Sequence, residues 1–177
     1  MIINLKEFES FPAKKTMIAE PGSIEIDFDS ILDVKELTHK LDIHQSNDEY
    51  FCLGQIDAVV ELECARCLKI FEARIDSKTD FIICAFDKFA KEKEIIDNED
   101  YVYFEGGSHQ ADLTPIIQQA LILGVSLQPL CDADCKGLCP GCGANLNNGN
   151  CRCQKDVIDP RWDELKKLSA HNNKEGL

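Results

Sequence analysis

Eight of the ten cysteines fall in three clusters whose spacing suits metal binding. They are C-A-R-C at Cys64 and Cys67, C-D-A-D-C at Cys131 and Cys135, and CPGCGANLNNGNCRC, which carries Cys139, Cys142, Cys151 and Cys153. A C-x-x-C turn brings two sulfurs to one ion at about 2.3 Å and aims backbone N–H groups at them. In CPGCG, Pro140 sets the entry of the turn, and Gly141 and Gly143 admit backbone angles that a side chain resists. Four thiolates close a tetrahedral structural site, so eight clustered cysteines suffice for two zinc ions.

Two partitions of the thiols are open. In the first, Cys139, Cys142, Cys151 and Cys153 hold one ion locally, while Cys64, Cys67, Cys131 and Cys135 hold another and clamp the tail to an earlier hairpin. In the second, Cys64 and Cys67 face Cys139 and Cys142 in a zinc ribbon, with the remaining cysteines free or on a weaker ion. The cofactor is therefore structural zinc, one or two ions. An all-sulfur closed site leaves no coordination position for water, so metal-activated hydrolysis is not expected. Two bland readings compete: a disulfide framework, which belongs to short secreted chains, and a thioredoxin-type redox pair, which needs a helix N-terminus after its first cysteine. Cys64 and Cys67 are flanked by strand-like sequence. Cys52 and Cys84, inside apolar runs, read as small buried hydrophobes.

Other chemistry finds little support. His39, His44, His109 and His171 are scattered away from ligand spacing and read as surface residues, and there is no H-E-x-x-H helix or phosphate-cradling glycine loop. Catalytic residues: none; the chain is not expected to be an enzyme.

The elements that position the cysteines follow from periodicity. MIINL and SIEIDF read as short strands, the second with Ile24, Ile26 and Phe28 on one face. Leu32, Leu37 and Leu41 suggest a short helix from Ile31 to Leu41. The clearest hairpin runs from Tyr50 to Phe86, with strands around IDAVVELEC and KIFEARIDS joined by the C-A-R-C turn as a zinc knuckle. Residues 87 to 100 read as a solvated connection. YVYFE is a further strand. A helix follows, with Thr114 as cap, Pro115 in the first turn, Gly124 at its end, and Leu113, Ile116, Ile117, Ala120, Leu121 and Leu123 on its apolar face. DPRWDELKKLS reads as a docked terminal helix with Asp159 as cap and Trp162, Leu165 and Leu168 on one side. No internal repeat is evident. The expected fold is α+β: an antiparallel sheet with a zinc-knuckle hairpin, a packed helix and a Cys-rich zinc-binding C-terminal appendage. The expected domains are an acidic α+β domain over 1–130 and a Cys-rich zinc-binding tail with a terminal helix over 131–177.

The formal charge of −13 is unevenly placed: residues 1–130 hold 12 Lys and Arg against 25 Asp and Glu, and 131–177 hold 7 against 7. Two zinc ions on eight thiolates would take the total from −13 to −17. Free nucleic acid is repelled on average, whereas a basic protein partner is favoured. Lys136, Arg152, Lys155, Arg161, Lys166 and Lys167 leave open a direct RNA-binding module near the tail, offset by Asp132, Asp134, Asp156, Asp159, Asp163 and Glu164. No apolar run approaches the roughly 20 residues that span a membrane. The start MIINLKEFESF lacks a secretory pattern, which predicts a cytoplasmic protein with reduced thiols.

Taken in order, C-A-R-C-L on a hairpin, LTPIIQQALILGVSLQPLC, CDADCKGLCPGCGANLNNGNCRC and DPRWDELKKL resemble the YceD family, the large ribosomal RNA subunit accumulation proteins of bacteria with relatives in plastids. The resemblance spans roughly residues 50 to 168. It implies a non-catalytic factor that supports 23S rRNA levels and large-subunit assembly. The implied partner is a large-subunit ribosomal protein or pre-ribosomal particle, with rRNA contacted directly or indirectly and no membrane. One departure is the link straight after the helix: where the resemblance implies a proline-bearing link such as L-P-L, this chain has Gly124-Val125-Ser126-Leu127, and the only proline of the link comes later, at Pro129.

Overall fold

Three long strands carry the architecture. In the computed structural model, which describes residues 1–28, 30–86, 100–105, 107–149 and 151–153, these are β3 (Ile31–Ser46), β4 (Glu49–Glu63) and β5 (Ile70–Ala85). They are flanked by β2 (Ala13–Ala19) and β6 (Tyr101–Phe104) in a five-stranded sheet of order β2-β3-β4-β5-β6. The first four strands are antiparallel, but β6 runs parallel to β5, so the sheet is mixed rather than purely antiparallel. A second sheet pairs β1 (Ile2–Asn4) with β7 (Gln110–Asp112). Helix α1 (Thr114–Gly124) completes the α+β fold. The chain divides into two compact units, Met1–Cys135 and Lys136–Leu177. The proposed terminal helix with Trp162, and residues 87–99 of the proposed connection, lie outside the described residues. No described helix is long and apolar enough to cross a membrane.

Alternation fixes which sheet face is buried. On β4, Cys52, Ile56, Ala58, Val60 and Leu62 point inward; on β5, Ile75, Thr79, Phe81 and Ile83 do so. Helix α1 presents Ile117, Ala120 and Leu121 to the same core, with Leu113 at its start. Leu123, expected on that face, is 76% exposed. The capping also differs: Leu113 occupies the cap position, and Asp112 accepts the Thr114 amide at 3.0 Å, so Thr114 is already helical. The helix ends at Gly124 as expected, where an added Cβ would stand 2.5 Å from Ile75 Cγ2.

Two sequence expectations fail for identifiable reasons. The stretch Ile31 to Leu41 is not a helix but the first part of β3. Register shifts between Ile31 and Asp33 and between Val34 and Glu36 insert extra residues, so Ile31, Val34 and Leu37 share the buried face at three-residue spacing and imitate a helical period. Strict alternation resumes with Leu37, His39, Leu41 and Ile43, while Leu32 is 49% exposed. The SIEIDF segment forms no strand: Ile24 is buried and Ile26 and Phe28 pack against the core, without ladder partners.

His39 is a third correction, since it is fully buried rather than superficial. Its Nε2 shares a 2.8 Å hydrogen bond with Thr79 Oγ1, and Nδ1 has no partner among the described residues. Burial holds its pKa down at about 4, against 6.5 in water. The depressed value means that this site contributes full stability above pH 6.5 and loses it as pH falls toward 4, because only the unfolded chain then takes up the proton. From about pH 8 to about pH 5, the wild type should lose about 2 kcal/mol relative to a His39→Gln variant, measured by urea unfolding at matched pH. Parallel curves for the two proteins would contradict this. His44 is exposed, His109 stacks on Phe104 at 5.2 Å, and His171 lies outside the described residues.

Candidate metal centre

The hairpin of β4 and β5 holds the first cysteine pair at its tip. Glu63 pairs with Ile70, which leaves residues 64 to 69 as the turn. The Cys64 amide donates to the Lys69 carbonyl and the Leu68 amide to the Cys64 carbonyl, both at 2.9 Å, and Leu68 takes a left-handed φ of 59°. In the second unit, the Cys139 amide donates to the Ala144 carbonyl and the Gly143 amide to the Cys139 carbonyl, both at 2.8 Å, with Gly143 at φ 72°. The two C-x-x-C turns are thus the same backbone object, a local structural repeat that the sequence hid. Residue identity differs at the left-handed position, where glycine is unstrained and leucine is not. Gly141 takes no positive φ, and a Cβ there would stand in ordinary contact with Cys153 Sγ at 3.4 Å.

The segment after α1 brings the next pair to the hairpin tip. The Ala65 amide donates to the Pro129 carbonyl at 2.8 Å, and the Arg66 guanidinium to the Cys135 carbonyl at 2.8 Å. Asp132 shapes the C-D-A-D-C turn, its carbonyl accepting from the Cys135 amide at 3.1 Å and its carboxylate from the Asp134 amide at 2.8 Å. Cysteine spacing alone does not predict the bracing by Arg66 and Pro129. Only the position of Arg66 inside the C-x-x-C turn hinted at it.

The sulfurs group as two sets of four: Cys64, Cys67, Cys131 and Cys135, then Cys139, Cys142, Cys151 and Cys153, each with its atoms within 4.8 Å of one another. Cys64 and Cys67 therefore share a cluster with Cys131 and Cys135, not with Cys139 and Cys142 as in the ribbon alternative. The Cys64–Cys135 and Cys67–Cys131 sulfur separations are 3.8 and 3.6 Å. A tetrahedron of sulfurs about 2.3 Å from a central ion has edges of about 3.8 Å, so this donor set fits a tetrahedral thiophilic metal. None of the ten cysteines, all of them among the described residues, is in a disulfide. Cys52 and Cys84 are buried, which pushes their thiols up to about 12 and about 11.

Electrostatics within each set favour a bound cation. Burial raises the Cys64 thiol, but the amides of Cys131, Arg66 and Cys67 outweigh it and bring it down to about 6. Cys131 is pushed up to about 12, by burial first and then by the neighbouring sulfurs of Cys67, Cys135 and Cys64. In the second set the Gly141 amide, the Cys151 thiol and the Cys142 amide lower Cys139 to about 6, while Cys142 and Cys139 push Cys153 up to about 12. Each set thus ionises one thiol readily and resists ionising the last, and a divalent ion removes that resistance. Neither C-x-x-C pair opens a helix, so the redox reading lacks its usual dipole. Of the basic residues considered for RNA contact, Lys136 and Arg152 are exposed and the others lie outside the described residues.

These motifs have counterparts. The family model for the large ribosomal RNA subunit accumulation protein YceD matches residues 53–169. A chloroplastic YCED homolog 1 of Arabidopsis thaliana is 35% identical over 83 residues, 46% of this chain and 26% of that protein. The maize counterpart is 33% identical over 86 residues, 48% of this chain and 28% of its own. An uncharacterised Mycobacterium bovis protein is 29% identical over 145 residues, 82% of this chain and 65% of its own. The chain therefore spans about a quarter of the length of the chloroplast relatives it matches. No solved structure matches it significantly. With the family match covering both C-x-x-C turns, the intervening helix and the C-D-A-D-C turn, the chain belongs to the YceD family of large ribosomal RNA subunit accumulation proteins.

Proposed function

We propose that this protein is a non-catalytic ribosome-biogenesis factor that supports 23S rRNA accumulation and large-subunit assembly in the cytoplasm. The carrying observation is the family match across residues 53–169. Zinc is the proposed metal, one ion on Cys64, Cys67, Cys131 and Cys135 and one on Cys139, Cys142, Cys151 and Cys153, which makes each C-x-x-C turn a zinc knuckle. Both sites would be closed by sulfur and serve to hold the chain in shape, the first by joining the hairpin tip to the segment after α1. The proposed partner is a basic large-subunit ribosomal protein or an assembly intermediate that contains one. Its support is charge, because residues 1–130 carry 25 acidic against 12 basic side chains.

Depletion in living cells should lower 23S rRNA relative to small-subunit rRNA or accumulate a large-subunit precursor on sucrose gradients. Unchanged particles would reject the assembly role. Pull-downs should recover basic ribosomal proteins with binding that weakens as salt rises. A direct RNA-binding reading would draw on exposed Lys136 and Arg152, and binding of purified 23S rRNA without protein would favour it.

A further inference from the structure

The two thiol clusters are built alike but shielded differently. In the first, Cys64, Cys67 and Cys135 are buried and Cys131 is half-buried. The Arg66 guanidinium ties the hairpin turn to the C-D-A-D-C turn through its bond to the Cys135 carbonyl. In the second, only Cys139 is buried; Cys151 and Cys153 are half-buried and Cys142 is exposed. Cys142 stands between Gly141 and Gly143, so neither neighbour supplies a side chain to cover it. Oxidant attack on a zinc thiolate requires an approach to sulfur, and access is what separates the two sets.

We propose that the second cluster is an oxidant-sensitive switch, opened by hydrogen peroxide at Cys142 while the first cluster keeps its metal. Peroxide's O–O bond breaks as a sulfur–oxygen bond forms on Cys142, and the departing hydroxide takes a proton to become water. One of Cys139, Cys151 or Cys153, all within 4.8 Å in the same set, then attacks the sulfenic sulfur. A disulfide forms, the sulfur–oxygen bond breaks and a second protonated oxygen leaves as water. Two electrons pass from the two sulfurs to one peroxide, which is reduced to two waters. The ion loses two of its four donors and is released. The Lys136–Leu177 unit alone would then lose its metal, leaving the hairpin staple of the other unit in place.

This inference rests on the zinc reading above, and the test separates the two. The full chain loaded with zinc is exposed to graded hydrogen peroxide. Released metal is followed with a chromophoric chelator, and thiols are mapped by alkylation and mass spectrometry. One zinc should leave first, with a disulfide among Cys139, Cys142, Cys151 and Cys153. Cys64, Cys67, Cys131 and Cys135 should remain alkylatable, and their ion should leave at least about tenfold more slowly. Two ions lost at one rate, or the first cluster oxidised first, would overturn the switch alone. Fewer than two zinc ions before treatment would overturn the metal reading beneath it.

Discussion

Replacing Cys64 with serine should halve the zinc content, from two ions per chain to one, and release the segment from Val125 to Cys135 from the hairpin tip without dissolving the sheet. Apart from the sulfur cluster itself, the segment from Val125 to Cys135 is tied to the tip by the Ala65–Pro129 and Arg66–Cys135 hydrogen bonds, each worth about 1 kcal/mol net. A four-thiolate zinc contributes far more, on the order of 10 kcal/mol in small zinc modules. Without it, three thiols remain, Cys67 and Cys135 buried and Cys131 half-buried, whose ionised forms repel. The five-stranded sheet, by contrast, closes its own core through Leu37, Ile43, Ile56, Val60 and Ile83, with Leu121 from α1, none of them a member of the thiol sets. Far-UV circular dichroism should therefore keep its strand signal. Amide exchange over residues 125–135 should accelerate a few thousand-fold, the equivalent of about 5 kcal/mol of lost local protection. Cys142→Ser should also remove one zinc but leave exchange over 125–135 unchanged, because the two sets lie in separate units. Full zinc content in Cys64→Ser, or unaltered exchange, would reject the staple.

What the sequence exposes and what it conceals follow from range. The β4–β5 hairpin is legible because its alternation is regular and its turn is marked by cysteines six residues from strand to strand. The course of β3 is concealed because two bulges shift its buried face, so Ile31, Val34 and Leu37 carry a three-residue spacing that imitates a helix inside a strand. Strand β2 escapes notice because Lys14 and Lys15 interrupt an alternation in which only Ala19 is buried, as befits an edge strand. The parallel pairing of β5 with β6 joins strands that are not contiguous in sequence and leaves no local trace. At the clusters, spacing identifies which residues are ligand candidates. It does not decide which distant pairs meet; that is set by where α1 lies and by the Ala65–Pro129 bond.

Gly54→Ala should destabilise the sheet by about 4 kcal/mol, although Gly54 has an ordinary strand conformation. In register, Gly54 sits between Leu41 on β3 and Thr79 on β5. Its missing side chain is the space in which the buried His39–Thr79 hydrogen bond is made. A Cβ there would collide with Thr79 Oγ1, stand 2.6 Å from His39 Nε2 and reach Leu41 Cδ2 at 3.0 Å. Neither polar partner can withdraw, because both lie in a close-packed core and His39 Nδ1 already lacks a partner among the described residues. The variant must either part the strands or break the hydrogen bond, and leaving two buried polar groups unpaired adds about 1–3 kcal/mol to the packing strain. The mechanism predicts coupling. Thr79→Ala removes the nearest obstacle, so the double variant should be more stable than the sum of the single losses by about 1–2 kcal/mol. Urea unfolding of the zinc-loaded proteins reads both quantities. A Gly54→Ala protein within about 1 kcal/mol of wild type, or strict additivity with Thr79→Ala, would show that the histidine pair tolerates a neighbour and that β4 owes its shape to something else.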